Sequence, residues 1–331
     1  MPAGYRARWH NHRLTPWCAP ATLARLNSTA TNHGDVAGAA SATAAFLMWG
    51  AFPLYWKQMQ GVPAFELISH RITWSLLFLL GVLAWQRNFG ALRPAFVEAR
   101  LFGLNLLSSV LLASNWTVYV WAVNAGHVIE TSLGYFLVPL VNVVLGSVLL
   151  RERLRPLQWL AIGLAAVGVV VLLLRVGHVP WIALALAGTW SGYGLLKKMS
   201  ALGSIAGLTV ETILLFPVAV ALLLWWHHTG VGALGRVDGR THCFVLAAGV
   251  VTAVPLLLFA YGAQRIKLTT LGLLQYVAPM VQFLIGLLVY HEAFDAARLQ
   301  AFSLIWFGLV LYSGDGLWAQ RRLLLKTVGS A

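Results

Sequence analysis

The chain has 331 residues, of which 59% are hydrophobic and only 10% are charged. Soluble domains carry about 25% charged residues, and a chain this apolar would expose large sticky patches in water. The composition therefore excludes an ordinary soluble fold and predicts a protein whose solvent is lipid. The net charge of +13 is spread between apolar runs, which favours topology signals over a nucleic-acid surface. We expect no nucleic-acid partner.

Residues that hold metals or form disulfides are few and scattered. The two cysteines, Cys18 and Cys243, are far apart and are expected on opposite sides of the membrane. The histidines form no HExxH pattern, and there is no CxxC. We therefore predict no metal site and no cofactor.

Residues 1–36 differ from the rest of the chain. They contain four arginines before the first acid, Asp35, and lack the apolar core of a secretory signal. A transit peptide has a similar charge balance. We expect instead a disordered basic tail, or a start assigned too far upstream.

Ten apolar windows follow, each near the roughly 20 residues that a helix needs to cross the hydrocarbon core. Lipid offers no partner to unpaired backbone groups, and the runs are continuous rather than alternating, so they predict helices and not a barrel. The windows are approximately 39–57, 66–85, 101–122, 127–149, 157–174, 179–197, 205–226, 242–264, 267–290 and 297–318.

Basic residues between the windows predict the orientation. With the N-terminus inside, 17 of the 23 arginines and lysines lie in inner segments, Lys197 and Lys198 among them. Basic residues favour the cytoplasmic side, so both termini are predicted to be cytoplasmic. The five outer residues are Lys57, Arg175, Arg236, Arg240 and Arg298, and Arg71 lies within a span.

The chain also repeats itself. A shift of 140 residues brings Pro139 onto Pro279 and Glu152 onto Glu292, and a shift of 141 brings Trp49 onto Trp190. Each copy holds five windows, and because five is odd the second copy must be inverted. The predicted fold is an all-α integral membrane protein of ten helices. It has two inverted five-helix repeats, 37–177 and 178–318, and a cytoplasmic C-terminal tail, 319–331.

Ionisable side chains within spans are costly, about 2.5 to 3.5 kcal/mol each near the bilayer centre, so the few present are candidate functional groups. Glu66 and His70 share a face of the second span, and Arg71 lies deeper. Arg71 is predicted to pair with Glu66, or with Glu130 of the fourth span. Such a pair would either lock two helices or line a cavity.

Glu211 lies in the seventh span, with no cation on that helix, and the shift of 140 makes it the counterpart of Arg71. It is a candidate for proton coupling, because a low-dielectric site favours the protonated carboxyl. The alternative is a carboxylate bonded to a neighbouring helix or to loop lysines.

Aromatic and amide side chains recur at matched positions of the two halves. Buried polar groups need partners, which a lined cavity or a neighbouring helix supplies. As a set they predict a substrate cavity, with the candidates Trp49, Tyr55, His70, Arg71, Trp116, Tyr119, Tyr135, Tyr193, Glu211, Gln275 and Gln282. Pro139 and Pro279 each remove a backbone hydrogen bond. They are predicted to be symmetric bending points, with static kinks as the alternative.

Several motifs resemble those of the RarD (chloramphenicol-sensitivity) family, in the EamA branch of the drug/metabolite transporter superfamily. They are MWGAFPLYWK, ELISHRITWS, NWTVYVWAVNAGHVIETSLGYFLVPLVNVVLG, RERLRPLQWLA and LGLLQYVAPMVQFLIG. The likeness covers residues 38–318. It implies ten helices, cytoplasmic termini and a permease of the bacterial inner membrane.

Inverted repeats recur in secondary transporters, where exchanging the packings of the two halves moves access across the membrane. We expect a transporter of small amphipathic metabolites or drugs, working in the lipid bilayer by alternating access. There is no Walker motif, so we expect no nucleotide partner. One alternative is a membrane-embedded enzyme, for which only Glu66 with His70 resembles a catalytic pair of nucleophile and general base. The other is a non-transporting sensor or scaffold.

Overall fold

The structure is a computed structural model, and it describes residues 20–59, 61–174, 179–233 and 235–291. Between 303 and 318 it describes 303–304, 307–308, 310–312, 314–315 and 318, all of them helical. For 20–34, 128–129 and 172–173 only the backbone is described. Throughout these ranges the regular structure is helical, with no strand.

Eleven α-helices are described up to residue 291. In chain order they are α1 Pro20–Trp56, α2 Ala64–Trp85, α3 Arg93–Val97, α4 Ala99–Asn124, α5 Val128–Val148, α6 Pro156–Leu173, α7 Trp181–Met199, α8 Ser204–Thr229, α9 Gly239–Arg265, α10 Leu268–Leu274 and α11 Val277–Leu288. Short 3₁₀ helices follow α1 at Lys57–Met59 and precede α3 at Phe89–Leu92.

Seven helical segments are long and apolar enough to cross a membrane. They are Asp35–Met59, Ala64–Trp85, Ala99–Asn124, Glu130–Val148, Ser204–Thr229, Gly239–Arg265 and Leu268–Leu288, and Pro156–Val171 is a shorter apolar helix. The chain is therefore an all-helical integral membrane protein. Helices occupy the first nine predicted windows, and the tenth, 297–318, falls mostly outside the described residues.

The structure differs from the sequence expectation at two places. α1 begins at Pro20, so residues 20–36, assigned to a disordered tail, are helical. The ninth window is not one helix, because a turn at Gln275 and Tyr276 separates α10 from α11. Pro279 has no N–H to donate to the carbonyl four residues earlier. The Gln275 carbonyl accepts instead from Ala278 N at 3.2 Å, and the chain turns.

Helices from the two parts of the chain pack in matching pairs. α1 packs on α9 and α7 on α4; α5 packs on α7 and α1 on α11; α2 packs on α9 and α8 on α4. In addition, α2 contacts α8, and α5 contacts α10. Glycines permit the closest approaches. A Cβ on Gly249 of α9 would overlap the backbone of Trp74 in α2, and one on Gly262 would lie 2.8 Å from the Gly38 carbonyl in α1.

The ends of the bundle are joined largely by side chains that bond to backbone groups. At one end Lys198 Nζ donates to the Ile266 carbonyl, 2.5 Å, and Gln264 Nε2 to the Leu202 carbonyl, 2.8 Å. At the same end Glu152 Oε1 accepts from Leu268 N, 2.7 Å, at the first turn of α10. A carboxylate there satisfies free N–H groups and the positive end of the helix dipole.

Candidate functional site

Arg71 lies between two tryptophan rings. It is about two turns into α2. Its guanidinium carbon is 4.9 Å from the ring centroid of Trp56 in α1 and 4.7 Å from that of Trp116 in α4. Its Nε donates a hydrogen bond to Thr252 Oγ1 of α9, 2.9 Å. Four helices therefore hold one cation, and each ring contributes about 0.5–2 kcal/mol of cation–π attraction.

Three phenols lie near this cation. Tyr55, Tyr119 and Tyr135 interact with Arg71 electrostatically. The rings of Tyr119 and Tyr135 meet edge to face with centroids 5.7 Å apart, and the hydroxyl of Tyr55 donates to the Phe244 carbonyl. The structure thus brings together five predicted cavity residues, namely Tyr55, Arg71, Trp116, Tyr119 and Tyr135. We call them, with Trp56 and Thr252, the Arg71 layer.

A small enclosed void lies next to the Arg71 layer at the centre of the bundle. We call it the central void. Its volume is about 10 Å³, which is about the space of one water molecule. Trp116 and Thr252, which contact Arg71, line this void, and Glu211 lines it as well. The remaining walls are mostly apolar side chains of α2, α4, α8 and α9.

Glu211 is the centre of a second buried group. Its side chain is 2% exposed and its Oε1 lies 2.6 Å from Nζ of Lys197, which is 3% exposed. Ser108 Oγ donates to the same oxygen at 2.5 Å, and the Tyr193 hydroxyl donates to Oε2 at 3.4 Å. Glu211 is therefore bonded to the neighbouring helices α4 and α7. This is the arrangement given above as the alternative to proton coupling. Its coupling role stays a prediction.

Lys197 ends the sixth predicted window and was counted with the inner segments, whereas the structure encloses it. It lies inside α7, buried, with its ammonium over the Tyr193 ring at 5.4 Å. Burial is tolerated because Glu211 neutralises the charge. Lys197 and Ser108 were both missed as members of the site.

The predicted ion pair of Arg71 with Glu66 or Glu130 is not formed among the described residues. Glu66 accepts from Ala233 N with both carboxylate oxygens, at 2.9 and 2.8 Å, and lies 3.7 Å from His70 Nε2. Glu130 Oε1 lies 3.8 Å from His127 Nδ1. Both acids are in the first turn of their helices and have partners there, whereas Arg71 lies deeper.

His70 lines a different space from Arg71. A groove of about 560 Å³ runs between α2 and α8, and His70 shares it with Glu66, Trp226, His227 and Arg236. His70 Nδ1 is buried and has no hydrogen-bond partner in the described part of the chain. His70 was predicted to be a cavity residue, and the structure places it on this groove and outside the Arg71 layer.

Trp49 and Tyr193 belong to an aromatic core. Trp49 packs edge to face on Trp190, with centroids 5.3 Å apart, and Tyr193 stacks on Phe259 at 5.9 Å. Tyr193 is completely buried. Both were predicted to line the cavity. The structure shows them packed against other rings, because the aromatic side chains of α1, α7 and α9 contact one another.

Gln275 and Gln282 are separated by the break between α10 and α11. Gln275 is buried at the turn, and its Oε1 has no hydrogen-bond partner among the described atoms. Gln282 is exposed and donates to the Trp49 carbonyl at 3.3 Å. Of the two predicted bending prolines, Pro279 lies at the break, and Pro139 lies within an uninterrupted α5. Whether either bends during function stays a prediction.

Thr252 was missed because a lone threonine in an apolar span carries no signal of its own. The repeat supplies one. The shift of 140 that relates Arg71 to Glu211 also relates Leu112 to Thr252, and these two residues line the central void. Across the residues that the structure describes, no group of three His, Cys, Asp or Glu side chains is placed to hold a metal ion.

Comparison with known proteins matches this chain to one family of membrane transporters. The profile of the EamA-like transporter family matches residues 36–174. The uncharacterized transporter YojE of Bacillus subtilis is 44% identical over 272 residues, 81% of this chain and 90% of YojE. Protein RarD of Streptomyces exfoliatus is 42% identical over 279 residues, 84% of this chain and 88% of the relative. Protein RarD of Escherichia coli is 39% identical over 285 residues, which are 86% of this chain and 96% of the relative. One crystal structure, 23% identical, matches the fold with a TM-score of 0.65 over 83% of this chain and 96% of its own.

Proposed function

Because this chain belongs to the EamA-like transporter family, we propose that it is a secondary-active transporter of small amphipathic metabolites or drugs in the bacterial inner membrane. Substrate passes by alternating access between two inverted five-helix repeats, 37–177 and 178–318. Both termini are cytoplasmic. The energy comes from an ion or solute gradient.

Helix packing supports the inverted repeat. The two halves correspond when α1, α2, α4 and α5 are matched with α7, α8, α9 and the α10–α11 segment. Under this matching, each packing of α1, α2 and α5 on the other half has a counterpart, such as α1 on α9 with α7 on α4. Trp49 and Trp190, related by the shift of 141, meet in the aromatic core.

Contacts between connecting segments support the predicted sides of the membrane. Contacts join segments predicted inside to one another, as in Lys198 with Ile266 and Arg155 with Asp315 at 3.3 Å. Other contacts join segments predicted outside, as Glu66 with Ala233. With Lys197 reassigned to the bundle interior, the remaining basic residues keep their strong excess on the inner side.

The observation that carries the proposal is the position of the central void. Its walls come from two helices of each half, α2 and α4 with α8 and α9. Eight of its lining residues form four pairs related by the shift of 140: Ile72 with Thr212, Ser75 with Leu215, Leu112 with Thr252, and Trp116 with Leu256. A void between matched helices lies where inverted repeats place a substrate site. At about 10 Å³ it has room for about one water molecule, so the helices must separate to admit a substrate.

Purified protein in proteoliposomes tests the proposal. Vesicles loaded with the small-molecule extract of bacterial cells should release a defined set of compounds faster than protein-free vesicles, and an imposed pH gradient should change that rate. In the variant Glu211→Gln the rate should no longer respond to the gradient. If pH dependence is unchanged in this variant, Glu211 does not couple protons. If wild-type vesicles release nothing beyond the protein-free control, the transport proposal fails.

A further inference from the structure

We infer that the transported compound is an organic carboxylate, and that its carboxylate binds Arg71. The inference rests on the proposed transport function and assigns the substrate class of the same central site. It follows from the charge, geometry and walls of the Arg71 layer, taken in turn.

The charge of Arg71 has no counter-ion in the described part of the protein. Its hydrogen bond goes to a neutral hydroxyl, Thr252 Oγ1, and its remaining neighbours are aromatic rings. The described acids of the neighbouring helices face other groups: Glu66 faces Ala233 N, Glu130 faces His127, and Glu211 faces Lys197. A cation within a membrane span that has no charged partner is strongly unfavourable. A ligand that supplies the missing negative charge would bind preferentially at this point.

The arrangement also leaves a binding edge available. Thr252 occupies Nε, and the two terminal nitrogens make no hydrogen bond to other described residues, while Arg71 stays partly exposed. The terminal nitrogens of a guanidinium form a planar pair of donors that fits the two oxygens of a carboxylate. The contacts with the two tryptophan rings restrict rotation of the guanidinium. A carboxylate can therefore bind with little further ordering of the side chain.

The number of charges favours a carboxylate over a phosphate. A phosphate monoester carries nearly two negative charges at neutral pH, and the Arg71 layer offers one cation. Among the described lysines and arginines only Lys197 is fully buried, and Glu211 neutralises it. The walls are aromatic, with Trp56, Trp116 and the Tyr119–Tyr135 pair. They suit a substrate with an apolar or aromatic body.

The test uses the same extract-loaded proteoliposomes, with compounds released by the wild type identified by mass spectrometry. Three variants are compared: Arg71→Gln removes the charge, Arg71→Lys keeps the charge without the planar donor pair, and Arg100→Gln changes an exposed arginine of α4. The methyl ester of the main released compound is loaded separately. The ester has the same body without the negative charge, so this arm needs no variant to fold.

We expect the released compounds to be carboxylates. Release should fall at least about tenfold in Arg71→Gln, as for loss of hydrogen bonds to a charged group, and less in Arg71→Lys. It should be unchanged in Arg100→Gln, and the protein should not accelerate loss of the ester beyond its passive leak from protein-free vesicles. Release by the wild type of compounds that lack a carboxylate, protein-dependent release of the ester at the rate of the acid, or undiminished release by well-folded Arg71→Gln would overturn the inference and leave transport itself intact. A wild type that releases nothing would refute the transport function, and the inference with it.

Discussion

The buried pair of Lys197 and Glu211 makes a quantitative prediction. Lys197→Met keeps most of the length of the side chain and removes its charge. The lost contact is 2.6 Å long between groups that are 3% and 2% exposed, and breaking a buried pair from one side costs about 3–5 kcal/mol. Glu211 keeps its bonds from Ser108 at 2.5 Å and Tyr193 at 3.4 Å, which offset part of this. We therefore expect a loss of about 3 kcal/mol in the free energy of unfolding.

The double variant Lys197→Met, Glu211→Gln should recover most of this loss, since no uncompensated charge stays buried. Unfolding by SDS in mixed micelles, followed by tryptophan fluorescence, gives the free energies of the two single variants and the double variant, and hence the coupling energy. Arg100→Met, at an exposed position, should stay within about 0.5 kcal/mol of the wild type. This account would be refuted if Lys197→Met lost less than about 1 kcal/mol in the free energy of unfolding, or if the double variant were no more stable than Lys197→Met.

Three further predictions concern helix packing, the helix break and the outer connection. Gly249→Ala places a methyl group against the backbone of α2 and should lower the free energy of unfolding by about 1–3 kcal/mol. Gly163 has open space around it, so Gly163→Ala should raise the free energy of unfolding by up to about 1 kcal/mol. Equal melting temperatures of the two variants would contradict this. Pro279→Ala restores an N–H for the carbonyl four residues earlier, so hydrogen exchange at the turn should slow and transport turnover should fall, and unchanged exchange would count against the explanation of the break. Glu66→Ala removes both acceptors of the 230–237 connection, so tryptic cleavage after Arg236 should accelerate severalfold; cleavage at the wild-type rate would show that Glu66 does not hold this segment.

Hydropathy predicted the helices well because lipid imposes both their length and their internal hydrogen bonding. The locations of nine windows depended only on these two constraints. The separation of α10 from α11 needed one more step, because Pro279 was recognised as a bending point but the turn forms four residues earlier, at the carbonyl that the proline leaves without a donor.

The candidate site was harder to predict, because a charge pattern along one helix does not identify the partner on another. Arg71 and Glu211 were recognised from their cost in lipid, yet the predicted partners of Arg71 are held by other groups in the first turns of α2 and α5. Lys197 has the sequence context of a basic residue at a helix end, and only its contact with Glu211 of α8 shows that it is enclosed. The repeat was the most useful signal, since counterpart positions converge on the central void.

The contacts that close the two ends of the bundle carry a consequence for genetics. At both ends a side chain of one half meets a main-chain carbonyl or amide of another segment, as in Lys198 with Ile266, Gln264 with Leu202 and Glu66 with Ala233. A main-chain carbonyl is the same whichever amino acid occupies the position, and a main-chain N–H is the same for every residue except proline. Charge-swap experiments, which restore an interaction by exchanging two side chains, therefore have nothing to exchange here. Suppressors of defects at Lys198 or Glu66 should arise instead at residues that shape the path of the opposing loop.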